Sequence, residues 1–146
     1  MNNSNITKTH FGVYGIALRG SKILLIKKAR GPYTGLYDLP GGSQESGESY
    51  TDTLIREIKE ETGCTVEKFG NERRKSIIFS NFTEASGEKG VLRHDAILYD
   101  IQISGTLQTK GDGLDSGGAV WINTEELSPQ NATPFALIGA GKKKYS

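Results

Sequence analysis

Residues 41–64, "GGSQESGESYTDTLIREIKEETGC", constrain this chain more than any other stretch. Ser49 can accept from the first free N–H groups of a helix. Asp52, three residues on, closes a capping box in which Asp replaces Glu. Gly63 stands where a helix ends in a left-handed residue. The spacing therefore predicts a helix over about residues 50–62. At about 100° per residue, Glu57, Glu60 and Glu61 share a sector of roughly 100°. Leu54, Ile55 and Ile58 fill the neighbouring sector, with Tyr50 at its border. The apolar side is expected to anchor the helix on a sheet, with the carboxylates along the edge of that contact.

Such crowding has a cost. Each like-charge pair at helical spacing costs a few tenths of a kcal/mol, and these carboxylates lie toward the C-terminal end, where the helix dipole disfavours anions. Arg56 and Lys59 offset only part of this. A solvated acidic face is the ordinary reading of a charge run. The alternative is a divalent cation. Carboxylate oxygens without His or Cys suit hard ions, Mg²⁺ first and Mn²⁺ next.

The rest of the chain reads as strands around this helix. "FGVYGIAL" and "KILLIKK" form a hairpin about the turn Arg19–Ser21, and a short strand is expected within 36–39. "CTVEKFG", "RRKSIIFSNFT" and "VLRHDAILYDIQIS" are three further strands, and "AVWIN" is the last. "TEELS" and "PFALIGAG" read as short helical segments. The expected class is α/β, layered about a mixed sheet, with residues 1–146 forming one domain. At 146 residues the chain can bury a real core. Its formal net charge of +1 gives no basic field for a nucleic-acid polymer. One cysteine, Cys64, excludes an intramolecular disulfide. The opening "MNNSNITKTH" lacks the apolar core of a signal peptide, and no apolar run approaches the ~20 residues that span a bilayer. A cytoplasmic protein without membrane contact is expected.

The spacing in the helical stretch narrows the reading. Five residues separate Gly42 from Glu48, and seven more lead to Arg56-Glu57-Ile58. Lys59, Glu60-Glu61, Thr62, Gly63 and Cys64 follow. This resembles the signature of the Nudix (MutT-type) hydrolases at every fixed position. Cys64 departs from it by replacing the last aliphatic residue, a small apolar substitute. "LYDLPGG" and "GGAVWINTEEL" also look like the family, with Tyr37 where many members carry Trp.

The resemblance implies an α/β/α sandwich with a central mixed sheet. It further implies hydrolysis of a nucleoside diphosphate linked to a group X, by attack of water on phosphorus with the phosphate oxygens held by divalent metal. Metal ligands would be Glu57, Glu60, Glu61 and the Gly42 carbonyl. Glu48 and Arg56 would form an ion pair fastening the loop to the helix. The general base would be Glu57, with Asp112, Asp115 or Glu88 as alternatives outside the box. Lys27, Lys28, Arg30, Tyr33 and Tyr37 are candidate substrate contacts, Tyr37 more simply a core residue. Arg93-His94-Asp95 reads as a structural network, and Trp121 as core. The marks of the NADH, ADP-ribose, dinucleoside-polyphosphate and coenzyme A subfamilies are missing. The sequence therefore points to no named substrate; the size of the chain, with no added domain to grip something large, suggests a nucleoside triphosphate or a nucleotide-sugar-like diphosphate, bound by a monomer or homodimer. A nucleotide-sensing module without turnover and an isomerase are the competing classes.

Overall fold

The structure is a computed structural model that describes residues 6–29, 31, 33–83, 86–108 and 116–142. Strands β1 (Lys8–Ile16), β2 (Leu18–Arg19), β3 (Lys22–Lys28), β4 (Tyr37–Asp38) and β5 (Gly41–Gly42) precede helix α1 (Tyr50–Thr62). Strands β6 (Thr65–Thr83), β7 (Lys89–Ser104) and β8 (Ser116–Asn123) follow. A 3-10 turn over Thr124–Glu126 leads on to helix α2 (Pro134–Gly139).

Two four-stranded sheets form. The first runs β5-β1-β7-β6 and is mixed: β1 lies parallel to β7 from Lys8 opposite Leu92 to Ile16 opposite Asp100, and the other pairs are antiparallel. In the second, β3 pairs antiparallel with β2, β4 and β8. Alternation along the strands sends residues to two separate cores. Tyr14, Ile16, Ile23, Leu25 and Leu98 pack against Phe135, Leu137 and Ile138 of α2. Val13, Leu24, Ile26 and Ile97 pack against Leu54 and Ile58 of α1. Both sheets feed both cores, so together they are the middle layer of an α/β/α sandwich. The expected single central sheet is divided, and its mixed character resides in the first half.

Three expectations need adjustment. The segments "CTVEKFG" and "RRKSIIFSNFT" belong to one strand, β6, whose register shifts between Gly70 and Arg73, with Asn71 at φ 50°. That irregularity is a bulge, which bends a strand without ending it. Ile55 is not in the apolar contact: it is 43% exposed, because the packed stripe of α1 is narrow and centred on Leu54 and Ile58. Trp121 is only partly buried, and the Arg19 guanidinium lies 4.3 Å over its ring.

Helix α1 has the ends its sequence calls for. The Ser49 hydroxyl accepts from Asp52 N–H at 3.1 Å, and the Asp52 carboxylate accepts from Ser49 N–H at 3.2 Å. Gly63 ends the helix at φ 78°, its N–H donating to the Lys59 carbonyl. Replacing Ser49 by Ala leaves an orphan donor at the helix start. It should lower stability by about 1 kcal/mol, read as a lower urea midpoint with an unchanged m-value.

Candidate active site

The site begins with a glycine turn pinned to β1. Gly41 and Gly42 pair with Tyr14 and Val13. Gly41 has φ 149°, and a Cβ there would stand 2.1 Å from the Val13 carbonyl oxygen, so only glycine fits. A Cβ on Gly42 would stand 2.7 Å from the carboxylate carbon of Glu57. Beneath this turn, the Gly41 N–H donates to Glu61 Oε1 at 2.7 Å. The helix thus presents Glu57 and Glu61, one turn apart, to two adjacent glycines.

The three helical glutamates occupy different environments. Glu61 is 4% exposed. Burial raises its pKa well above the ordinary carboxylate value, the Gly41 N–H works against that rise, and the nearby Glu57 charge adds to it. The Glu57 carboxylate lies against Gly42 and accepts from Arg56 Nη1 at 2.9 Å. Glu60 points outward, its side chain 54% exposed, 3.5 Å from Arg56 Nη1. Among the described residues, no three acidic, His or Cys side chains are gathered closely enough to hold a metal by themselves. The donor chemistry nonetheless suits a hard cation. All the oxygens are carboxylate or carbonyl, the donors that hard cations take.

Arg56 holds the loop to the helix. Its Nε donates to Glu48 Oε2 at 2.7 Å and its Nη2 to Glu48 Oε1 at 3.0 Å, a forked pair. Nη2 also donates to the Ser43 carbonyl at 3.0 Å. Glu48 further accepts from the Glu45 N–H at 2.8 Å and the Thr53 hydroxyl at 2.9 Å. The Arg56 hydrogen bonds first, and that backbone N–H second, hold the Glu48 carboxyl down at about 2. Glu45 is an exposed loop residue, 3.3 Å from Arg56 Nη1.

The candidate contacts outside the box divide. Lys28 ends β3 half-buried, and its positive charge acts on Asp38, Glu61, His10 and His94. Tyr33 is 6% exposed, and its phenol meets His94 Nδ1 at 3.4 Å. It fills the interior. Tyr14 holds His94 Nε2 at 3.0 Å, and His94, itself 2% exposed, is pushed down to about 3 by burial. Arg93 and Ser76 both bond Asp95, so the Arg93-His94-Asp95 run is a hydrogen-bonded network. Tyr37 is partly buried against the core, with Lys27 Nζ 5.3 Å from its ring centroid. Glu88 is exposed near the β6–β7 turn. Arg30, Asp112 and Asp115 lie outside the described residues. Sequence reasoning missed Asp38, an acid that is 2% exposed. Its signal was a lone carboxylate between apolar residues in "LYDL".

The description "NUDIX domain" matches residues 8–138. The chain belongs to the NUDIX family. It is 51% identical over 51 residues to the ADP-ribose pyrophosphatase of Methanocaldococcus jannaschii, a match covering 35% of this chain and 30% of that protein. It is 47% identical over 120 residues to a Bacillus subtilis protein provisionally named 8-oxo-dGTP diphosphatase, covering 80% of this chain and 68% of that one. The chain thus spans less than a third of the first of these relatives. Among solved structures, a MutT NUDIX hydrolase from Burkholderia pseudomallei superposes with TM-score 0.72 at 26% identity, over 92% of this chain and 97% of that one. No helix among the described residues is long and apolar enough to cross a membrane.

The Glu48–Arg56 fork has a pH signature. Its carboxyl sits at about 2 when folded, against 4.5 for a free Glu. The stabilisation is therefore fully present above about pH 4.5 and is lost as pH falls toward about 2. Urea midpoints of the native protein should exceed those of Glu48→Gln at neutral pH, and the gap should shrink steadily below pH 4.5. A gap indifferent to pH would mean that the carboxylate charge contributes nothing.

Proposed function

We propose that this chain is a metal-dependent pyrophosphohydrolase that cleaves the phosphoanhydride of a nucleoside diphosphate derivative. The observation that carries this reading is the seating of Glu57 on Gly42 and of Glu61 on Gly41, with Arg56 and Glu48 tying the intervening loop to the same helix. Carboxylate oxygens of the helix thus lie against a turn that admits no side chain at Gly41. Glu57, Glu60, Glu61 and the Gly42 carbonyl would hold Mg²⁺ or Mn²⁺. Once bound, the ion would offset the charge of the phosphates and lower the pKa of water.

The chain's own groups supply the rest. Glu57 is the proposed general base: it stands at the turn, half-screened by Arg56, and can take a proton from water as the phosphorus is attacked. Asp112 and Asp115 are the alternatives. Lys28 is the proposed phosphate contact, since its positive charge acts both on the Glu61 carboxyl and on the His10–His94 pair, whose rings are 4.8 Å apart. Tyr33, being buried, is proposed to support that pair from within. A nucleoside triphosphate or a nucleotide-sugar-like diphosphate is the proposed substrate class. Relatives named for ADP-ribose and 8-oxo-dGTP hydrolysis support it.

Metal alone provides the first test. Mg²⁺ or Mn²⁺ should raise the melting temperature, by the equivalent of about 2.7 kcal/mol at a hundredfold excess over Kd. Glu61→Gln should abolish the rise. Identical melting with metal and with EDTA would remove the proposed site.

Turnover provides the second. With Mg²⁺, the protein should be offered nucleoside triphosphates, ADP-ribose, nucleotide sugars and dinucleoside polyphosphates, and the products resolved by ³¹P NMR. Cleavage should fall within the anhydride and leave the glycosidic bond intact. Glu57→Gln should lower kcat by about 10²-fold or more, the usual worth of a positioned base. Near-full activity of that variant, with Asp112→Asn or Asp115→Asn dead, would move the base to the loop. Melting shifts without any turnover would favour a sensing module.

A further inference from the structure

Asp38 lies on β4, three residues before Gly41, and is 2% exposed. Its Oδ1 accepts from the Thr133 hydroxyl at 2.6 Å and from the Leu39 N–H at 2.8 Å. Thr133 is 95 residues away in sequence and caps α2, its hydroxyl accepting from the Ala136 N–H at 3.2 Å. The backbone repeats the join: Tyr37 N–H donates to the Asn131 carbonyl at 2.8 Å, and Thr133 N–H to the Tyr37 carbonyl at 2.9 Å.

Beyond Asp38 every residue up to the turn is fixed. Leu39 is wholly buried in the α2 core. The Pro40 carbonyl accepts from Gly15 N–H at 3.0 Å, and Gly41 N–H reaches Glu61. Burying a carboxyl is costly, and an apolar residue of similar size would pack at this position without that cost. Such a residue would, however, leave the Thr133 hydroxyl and the Leu39 N–H without an acceptor. The carboxyl is therefore best explained by the two groups it ties together.

We infer that Asp38 is a positioning residue, which anchors the glycine turn to the N-terminus of α2 and so sets the reach of the Gly41 N–H toward Glu61. The inference rests on the reading of that turn as part of the active site, yet its test needs neither metal nor nucleotide. Asp38 never touches the reacting groups. It acts through Leu39 and Pro40, and it makes α2, on the far layer, part of the support of the site.

Amide hydrogen exchange, resolved by residue in the metal-free protein, tests this. In Asp38→Ala the Gly41 amide should exchange about tenfold faster, the worth of one buried hydrogen bond, while amides in the middle of α1 and β7 stay unchanged. Asp38→Asn, whose amide oxygen can accept the same two bonds, should restore the native Gly41 rate. If Asp38→Ala does not fold, Thr133→Val should speed Gly41 exchange and Thr133→Ser should not. A native Gly41 rate in both disruptive variants, or a uniform acceleration of all amides, overturns the inference. Loss of turnover in every protein, native included, would sink the proposed hydrolase and leave the exchange result standing.

Discussion

The hydrogen bond from Gly41 to Glu61 governs the arrangement of this protein. Its donor belongs to a turn so close to β1 that a single added carbon would collide with the Val13 carbonyl. Its acceptor is a carboxyl buried almost completely, on the last turn of α1. A buried acid in apolar surroundings is costly unless its oxygens are engaged, so turn and helix can be brought together at only one height. Leu54 and Ile58 supply the adhesion of the helix to the sheet. Glu61 decides where along that sheet it rests.

Arg56 then sorts the remaining charge. It shares one guanidinium among Glu45, Glu48, Glu57 and Glu60. The forked contact with Glu48 is the tight one, and it carries the loop. The contacts to Glu57 and Glu60 relieve part of the repulsion that their spacing creates. Separating the glutamates by environment has a chemical consequence. Glu61 is buried and inclined to hold a proton, Glu57 is at the turn, and Glu60 is in solvent.

The opposite face of the same sheet carries a second set of polar groups in a dry setting. His94 is caught between Tyr14 and Tyr33, with Phe135 edge-on at 4.8 Å. Both ring nitrogens have partners, which is the condition under which a neutral imidazole can remain buried. Lys28 connects this face electrostatically with the carboxylates.

Much of this was legible beforehand. The helix, its capping box and its left-handed end depend on side chains a few residues apart, and local sequence determines them. The family resemblance carried by the box implied the partnership of Glu48 with Arg56, which the structure contains. Strand identity came from runs of apolar residues, but the continuity of β6 did not, because a bulge and a turn look alike until the partner strand is placed. The exposure of Ile55 escaped for a similar reason: helical periodicity defines a sector, whereas the neighbouring sheet decides how much of it is covered. Asp38 was passed over, and for His94 the sequence suggested a structural network without its partners. The partners that make them tolerable, Thr133 for the one and Tyr14 and Tyr33 for the other, are distant in the chain. The sequence by itself determined the helix, its charges and their spacing. Only tertiary structure decided which glutamate is buried and that Asp38, just ahead of the box, meets Thr133 of a distant segment, because burial is a property of what other segments bring.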